Sequence, residues 1–470
     1  MLNKLFLKPI TAKIITWIAI LIIGYFFIWA IYLDFNREFD HDEFQHVHIS
    51  WCMKEGMSLY RDIVDNHGPM YAFINATVWK IFNLPDSFFT IFLFRSISVI
   101  FMFAIVALTF RIARLLYDSN IAWISSALLI SSYTFFRKAM EIRPDVMMTF
   151  FFLLGLYFML KAIQKNTPDN KLLAYGIICF SFALTFHIKI SIPIVLFLIG
   201  FVICTSKRKL LIKQVYWIAI PFSLILFVLF ISGSLSEFIR LTMAGIKGTI
   251  ATLQKRNLHF PLFNKEFFGK DFFLFLSAFA FLYRGKSQRL FFFCSVIGTI
   301  ITVNLDKHAQ WYLMVIPLMS ILAAAGTTKL FILLKQIKRA IGSFYIVASF
   351  FIVIFIFFSI QSIQKISLLL DTYPNNKEQI EFTKYVMSVT TRQDKIFTIW
   401  SNVGGYMFRP HAFKNVWIIE EDHLLFLESL FKGEHGEYDF VIVKTNNEIL
   451  KGMIRQYTVA LEQKYIRKKR

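Results

Sequence analysis

A chain of 470 residues that is 57% hydrophobic and only 17% charged, with a mean hydropathy of +0.57, is not an ordinary soluble domain. Its formal charge of +21 would suit a nucleic-acid binder, but the basic residues fall mostly in short loops between apolar runs, so no nucleic-acid partner is expected. Cys52, Cys179, Cys204 and Cys294 are scattered, with neither disulfide nor metal spacing. The composition reads as a multi-spanning membrane protein.

The chain opens with MLNKLFLKPITAK, a basic start to an apolar run over 14–33. That run is too long for a signal peptide and is expected to be a retained first span. Further runs follow at 88–110, 121–136, 146–160, 172–186, 190–204, 215–231, 272–282, 290–303, 311–334 and 344–360. They predict about eleven spans, some of them short for a hydrocarbon core about 30 Å thick. Backbone groups in hydrocarbon must be satisfied internally, so the spans are expected to be helices.

Alternate loops are basic. They carry Arg111 and Arg114, then Lys161, Lys165 and Lys171, then Lys207, Arg208, Lys209 and Lys213. Arg284, Lys286 and Arg289 follow, and then Lys335, Lys338 and Arg339. The positive-inside rule puts these in the cytoplasm. It puts 40–71, 137–145, 232–270, 304–310 and everything after 360 outside, for a protein of the bacterial inner (plasma) membrane. The 232–270 loop is itself basic and reads as an electropositive rim for a phosphate-bearing lipid. From residue 371 the composition changes. EQIEFTKYVMSV reads as a short amphipathic helix, KIFTIW, KNVWII and YDFVIVK as strands, and DHLLFLESLF as a helix. The chain therefore divides into a transmembrane domain over 1–365 and a small α/β extracytoplasmic domain over 371–470.

The first outer loop concentrates the ionisable groups: Asp40, Asp42, Glu43, Glu55, Asp62 and Asp65 with His41, His46, His48 and His67. Such a cluster at the mouth of a membrane helix is a functional-site hypothesis by default. Asp42-Glu43 begins EFQHVHISWCMKEG, where Phe44, Val47 and Trp51 have the spacing of an interfacial amphipathic helix. Carboxylates there suit the helix dipole, and one of them could accept a proton from a hydroxyl at the membrane surface. Asp42 and His46 stand one turn apart with His48 and His67 nearby, which opens a metal reading, but the spacing matches no compact ligand motif. No metal and no other cofactor is therefore expected.

An Asp-Glu pair after the first span (Asp42-Glu43), then Gly56, then Tyr60-Arg61-Asp62, then His67 before Gly68-Pro69, resembles the GT-C glycosyltransferases. Within them it resembles the protein O-mannosyltransferase and aminoarabinose transferase group, which use polyprenyl-phosphate sugars. Glu141-Ile142-Arg143-Pro144-Asp145 is similar to that group's element in the second outer loop. Lys307-His308, with Tyr312 and then Pro317, is similar to its late element at a helix end.

The resemblance implies an all-α polytopic membrane domain of GT-C type, about eleven helices, followed by the small α/β domain. It implies transfer of a sugar from a lipid-phosphate donor to an extracytoplasmic acceptor by metal-independent, inverting displacement. Asp42 and Glu43 take the catalytic positions, and Arg143, Lys307 and His308 those near the donor phosphate. Tyr60, Asp62, His67, Asp145 and Tyr312 fall at substrate-binding positions. The chain departs from relatives that place Lys before a Pro-Pro pair, having His67-Gly68-Pro69 instead. The rival reading is a lipid or solute transporter or flippase. It predicts charges at mid-membrane and related halves, whereas here the charges gather in outer loops and no repeat is visible.

Overall fold

The computed structural model describes residues 9–63, 65, 67–164, 169–204, 208–243, 271–305, 309–339, 364, 375–389, 392, 396–398, 408 and 440–442. Helices dominate them. In chain order they are α1 (Pro9–Asn36), α2 (His41–Lys54), α3 (Met70–Ile81), α4 (Phe88–Leu116), α5 (Ser119–Ser131), α6 (Tyr133–Ala139), α7 (Pro144–Gln164), α8 (Asn170–Phe186), α9 (Ser191–Cys204), α10 (Arg208–Gln214) and α11 (Ala219–Ile231). Helices Lys286–Leu305, Ile316–Arg339 and Lys377–Val389 follow, with tighter 3₁₀ stretches at Phe272–Leu282 and Ala309–Met314.

Five helical stretches among the described residues are long and apolar enough to cross a membrane: Lys13–Asn36, Phe88–Leu116, Pro144–Gln164, Ile212–Ile231 and Ile316–Leu333. Ser119–Ser131, Asn170–Phe186 and Ile188–Ile203 are apolar but shorter. The expected run over 121–136 breaks at Ser132, whose side chain accepts from Phe135 N at 3.2 Å and starts α6 afresh. The expected span over 344–360 lies outside the described residues.

The membrane-facing surface is apolar because its solvent is. On α1, Leu21 and Ile28 are 69% and 68% exposed, while Ala30 and Leu33 turn inward. Between helices, small residues let backbones approach. A Cβ built on Gly155 of α7 would stand 2.8 Å from Gly176 O of α8, so this crossing requires glycine.

Successive helices run up and down, which gathers alternate connections at opposite ends. At one end Gln288 Nε2 donates to Leu116 O at 2.8 Å, Gln164 Nε2 donates to Leu115 O at 2.8 Å, and the rings of Tyr117 and Tyr283 stack edge-on. At the other end the C-terminus of α1 meets the N-terminus of α4, the loops before α3 and α7, and the C-terminus of α8. The stretches expected to share the outer side, 40–71 and 137–145, meet there, together with Ser232.

The segment after the membrane helices docks on this same end. Asn376 N donates to Asn36 O at 3.1 Å, and Gln379 brackets Phe39 by accepting from its N–H (2.7 Å) and donating to its carbonyl (3.0 Å). Arg392 bridges Glu55 and Asp86 at 2.6 and 2.7 Å. The amphipathic reading of EQIEFTKYVMSV corresponds to helix Lys377–Val389. Two of the expected strands appear as β1 (Ile396–Thr398) and β2 (Phe440–Ile442), which pair in parallel. The strand KNVWII, the helix DHLLFLESLF and the basic tail lie outside the described residues.

Candidate active site

Asp40 caps α2. Its side chain accepts from Asp42 N at 3.1 Å, and Glu43 reaches back to Asp40 N at 2.8 Å, a reciprocal capping box that fixes where the helix starts. Asp42 thus stands in the first turn of α2, a position set by the cap.

Glu43 points into the bundle and is fully enclosed. Its Oε1 accepts from Arg95 Nε (2.8 Å) and Ile142 N (3.2 Å); its Oε2 accepts from Arg95 Nη2 (2.6 Å) and Arg37 Nη2 (3.1 Å) as well as Asp40 N. Burial pushes this carboxyl toward its neutral form, but Arg37 and Arg95 outweigh it and hold its pKa below the ordinary glutamate value. Arg95 in turn donates from Nη1 to the carbonyls of Asp34 and Arg37 at 2.9 and 3.0 Å and lies 4.0 Å over the Phe39 ring. Glu43 therefore ties α1, α2, α4 and the loop before α7 together.

Beside it lies a second cluster. Arg143 Nη1 donates to Asp42 Oδ2 and, at 3.0 Å, to Glu141 Oε2; its Nε reaches Asp145 Oδ2 at 3.4 Å. Lys138 Nζ holds the same Glu141 at 2.7 and 2.9 Å and stands 3.7 Å from Asp40. Burial would lower the pKa of the Arg143 guanidinium, but Asp42, Glu141 and Asp145 overcome that and hold it well above its ordinary value. An arginine enclosed by three carboxylates is already neutralised. The geometry orients Asp42 with it.

The rest of the first loop wraps under α2. Gly68 N donates to Phe186 O at 2.8 Å, and a Cβ added at Gly68 would overlap the Thr185 carbonyl. That approach is the physical reason for Gly68 where the resemblance leads one to expect a first proline. It sets the His67 ring 5.2 Å from that of His187, at the end of α8, and 4.8 Å from that of His46. Asp65 accepts from both His67 Nδ1 (2.8 Å) and His67 N (3.0 Å). Tyr60, at a left-handed φ of 69°, donates its hydroxyl to His67 O at 2.7 Å, and Asp62 accepts from Ser58 N at 2.8 Å. Both shape the loop that presents His67. His48 faces elsewhere, its Nε2 3.5 Å from Cys52 Sγ and its ring stacked on Trp51.

Tyr312 is buried in the 3₁₀ stretch Ala309–Met314, which packs on α6 and α7. Lys307 and His308 lie outside the described residues. The structure thus brings Asp42, Glu43, Arg143 and Asp145 together, and sets His67 against His46, one turn of α2 from Asp42. Sequence reasoning missed Arg37, Arg95 and Lys138, and it named Glu141 only as part of the second-loop element, with no role of its own. Arg95 did carry a signal, as a lone arginine inside the apolar run over 88–110 must have a buried partner.

The family model for dolichyl-phosphate-mannose-protein mannosyltransferase matches residues 66–232. ArnT from Cupriavidus metallidurans superimposes in its apo state with a TM-score of 0.57 at 12% identity, covering 90% of this chain and 89% of ArnT. The chain has the GT-C fold. ArnT bound to undecaprenyl phosphate gives a TM-score of 0.55 at 11% identity over 92% of this chain and 90% of that one. The Archaeoglobus fulgidus oligosaccharyltransferase in its apo form gives 0.55 at 13% identity; it is longer, so the GT-C match covers 86% of this chain and 64% of that protein. No curated protein matches the chain in sequence.

Proposed function

We propose that this chain is an integral membrane glycosyltransferase that moves a hexosyl or pentosyl group from a polyprenyl-phosphate donor to an acceptor on the extracytoplasmic side. One observation carries the reading: Asp42, in the capped first turn of α2, is gripped by Arg143 from the loop before α7, at the end of the bundle where the loops converge. A carboxylate fixed at the membrane boundary suits an acceptor that arrives from water and a donor that arrives from lipid. The mannosyltransferase family match and the GT-C fold support the same chemistry. So do neighbours crystallised with undecaprenyl phosphate and, with a TM-score of 0.50, with dolichol-phosphate and an inhibitory peptide.

In this reading Asp42 takes the proton of the acceptor hydroxyl as its oxygen attacks the anomeric carbon. The carbon–phosphate oxygen bond breaks in the same step, inverting the centre and releasing the lipid phosphate. No metal is needed at the reacting atoms. Arg143 and Glu43 are positioning residues: the first aims Asp42, and the second fixes the start of α2. Lys307 and His308 supply charge for the phosphate, with the basic 232–270 loop as its rim. Asp145 and Tyr312 shape the donor side; Tyr60 and Asp62 shape the loop carrying His67. In this reading the chain from 371 to 470 is a small α/β extracytoplasmic domain tethered to the first loop through Gln379 and Phe39, and 1–365 supplies about eleven spans.

The test is incubation of purified protein with a panel of radiolabelled polyprenyl-phosphate sugars and candidate acceptors. Label should leave the lipid phase with wild-type protein and remain there with Asp42→Asn. Release that is equal for both proteins rejects the assignment of Asp42.

A further inference from the structure

The polar cluster under α2 contains one group the transfer chemistry does not use. We propose that His46, Asp65 and His67 form a binding site for a divalent transition-metal ion of the zinc type, which clamps the first loop to α2. The proposal departs from the metal-free expectation drawn from sequence and stands apart from the glycosyl-transfer reading.

Three observations converge on it. First, the donor atoms of His46, Asp65 and His67 all lie within 4.8 Å of one another, although they come from a helix and from a loop about twenty residues further on. Tetrahedral zinc with bonds of about 2.0–2.1 Å needs its ligand atoms about 3.3 Å apart. The widest pair must therefore close by about 1.5 Å, within the reach of imidazole side-chain rotation.

Second, His46 is only 2% exposed, and its Nε2 is buried with no hydrogen-bond partner among the described residues. A buried imidazole nitrogen left in that state is costly, and a metal ion satisfies it.

Third, Asp65 accepts from His67 Nδ1 at 2.8 Å, and the same oxygen accepts from His67 N at 3.0 Å. Asp65 Oδ1 and His67 Nδ1 thus face one another at close to the separation of two ligands on one tetrahedral ion, which would take the place of the proton they share. His187 closes one side, but its Nδ1 accepts from Lys189 N at 3.2 Å, so that lone pair is already used. Two imidazoles and one carboxylate fit a borderline cation better than Mg²⁺ or Ca²⁺, which take oxygen ligands, and they leave one coordination position open.

The clamp has a consequence for the site beside it. His46 follows Asp42 by one turn of α2, so an ion held between His46 and the loop fixes the face of α2 that carries Asp42.

The experiment uses the full chain in detergent, purified without metal-affinity resin, stripped with EDTA and dialysed. Co²⁺ is titrated first, because a visible tetrahedral d–d spectrum reports the site on wild-type protein with no substitution. Zn²⁺ follows, with metal content per chain and melting temperature as readouts. The expected result is one ion per chain, a melting temperature restored by Zn²⁺, and loss of stoichiometric uptake in His46→Gln and His67→Gln. His48→Gln, whose ring faces Cys52, keeps the uptake. No tetrahedral Co²⁺ spectrum, or zinc uptake equal in wild type, His46→Gln and His67→Gln, overturns the proposal; the second outcome means an adventitious ion only. Turnover is not read, so failure here leaves the transferase reading standing and the converse also holds.

Discussion

Arg95, two turns inside α4, clasps Glu43 of α2 through two donors, Nε and Nη2, at 2.8 and 2.6 Å, with both side chains wholly enclosed. The pair joins a membrane helix to the helix that carries Asp42. With Arg37 added, it is the electrostatic keystone of the loop end.

Breaking that pair from one side leaves an uncompensated buried charge. Arg95→Met and Glu43→Gln should each destabilise the protein by about 3–5 kcal/mol, read as a large drop in melting temperature in detergent. The double substitution Arg95→Met with Glu43→Gln should cost clearly less than the sum. Strict additivity of the two single effects would mean that the pair is not coupled as the geometry demands.

Asp42, Arg143 and Lys307 separate base, aim and phosphate contact. Asp42→Asn should lower turnover by about 10²–10⁴-fold while donor lipid still binds. Arg143→Ala should behave the same way, with part of the rate recovered in Arg143→Lys, because the side chain faces carboxylates. Lys307→Ala should weaken donor binding as well as turnover. Donor affinity and rate measured on the same preparations decide. Loss of donor binding in Arg143→Ala would restore the phosphate contact expected from sequence.

Gly68 has no room for a side chain against Thr185 O. Gly68→Ala should lift the loop from α8 and destabilise the protein by about 1–3 kcal/mol, while Gly24→Ala, where a Cβ meets nothing within 4 Å, should be near neutral. Thermal melts of the two variants side by side provide the comparison, and equal melting temperatures would contradict the close approach.

Topology is tested by labelling. A single cysteine at Gly433 should react with an impermeant thiol reagent in intact cells, and one at Lys209 should not, in a background lacking the native cysteines. The reverse pattern would move Asp42 to the cytoplasm and end the extracytoplasmic assignment.

Much of the scaffold was legible along the chain because its causes are local. Apolar runs longer than a bilayer is thick must be helices, and alternate basic loops predict which connections share an end. Carboxylates at the start of α2 suit its dipole, and Gly68-Pro69 marks the turn into α3. The Asp42-Glu43 pair and Glu141–Asp145 could be singled out because carboxylates and arginines at helix mouths are too costly to be idle. What each one faces was not legible. Asp42 and Arg143 are 101 positions apart, and Glu43 and Arg95 are 52 apart. Only the packing of α1, α2, α4 and α7 decides that Glu43 is consumed in bracing the fold while Asp42 is left to be aimed. The same packing sets Arg143 at the centre of three carboxylates. It also selected His46, Asp65 and His67 from four histidines and six acids in one loop. Spacing along a loop does not set distance across it, because the fold of the loop is fixed by contacts such as Gly68 with Phe186 that belong to another helix.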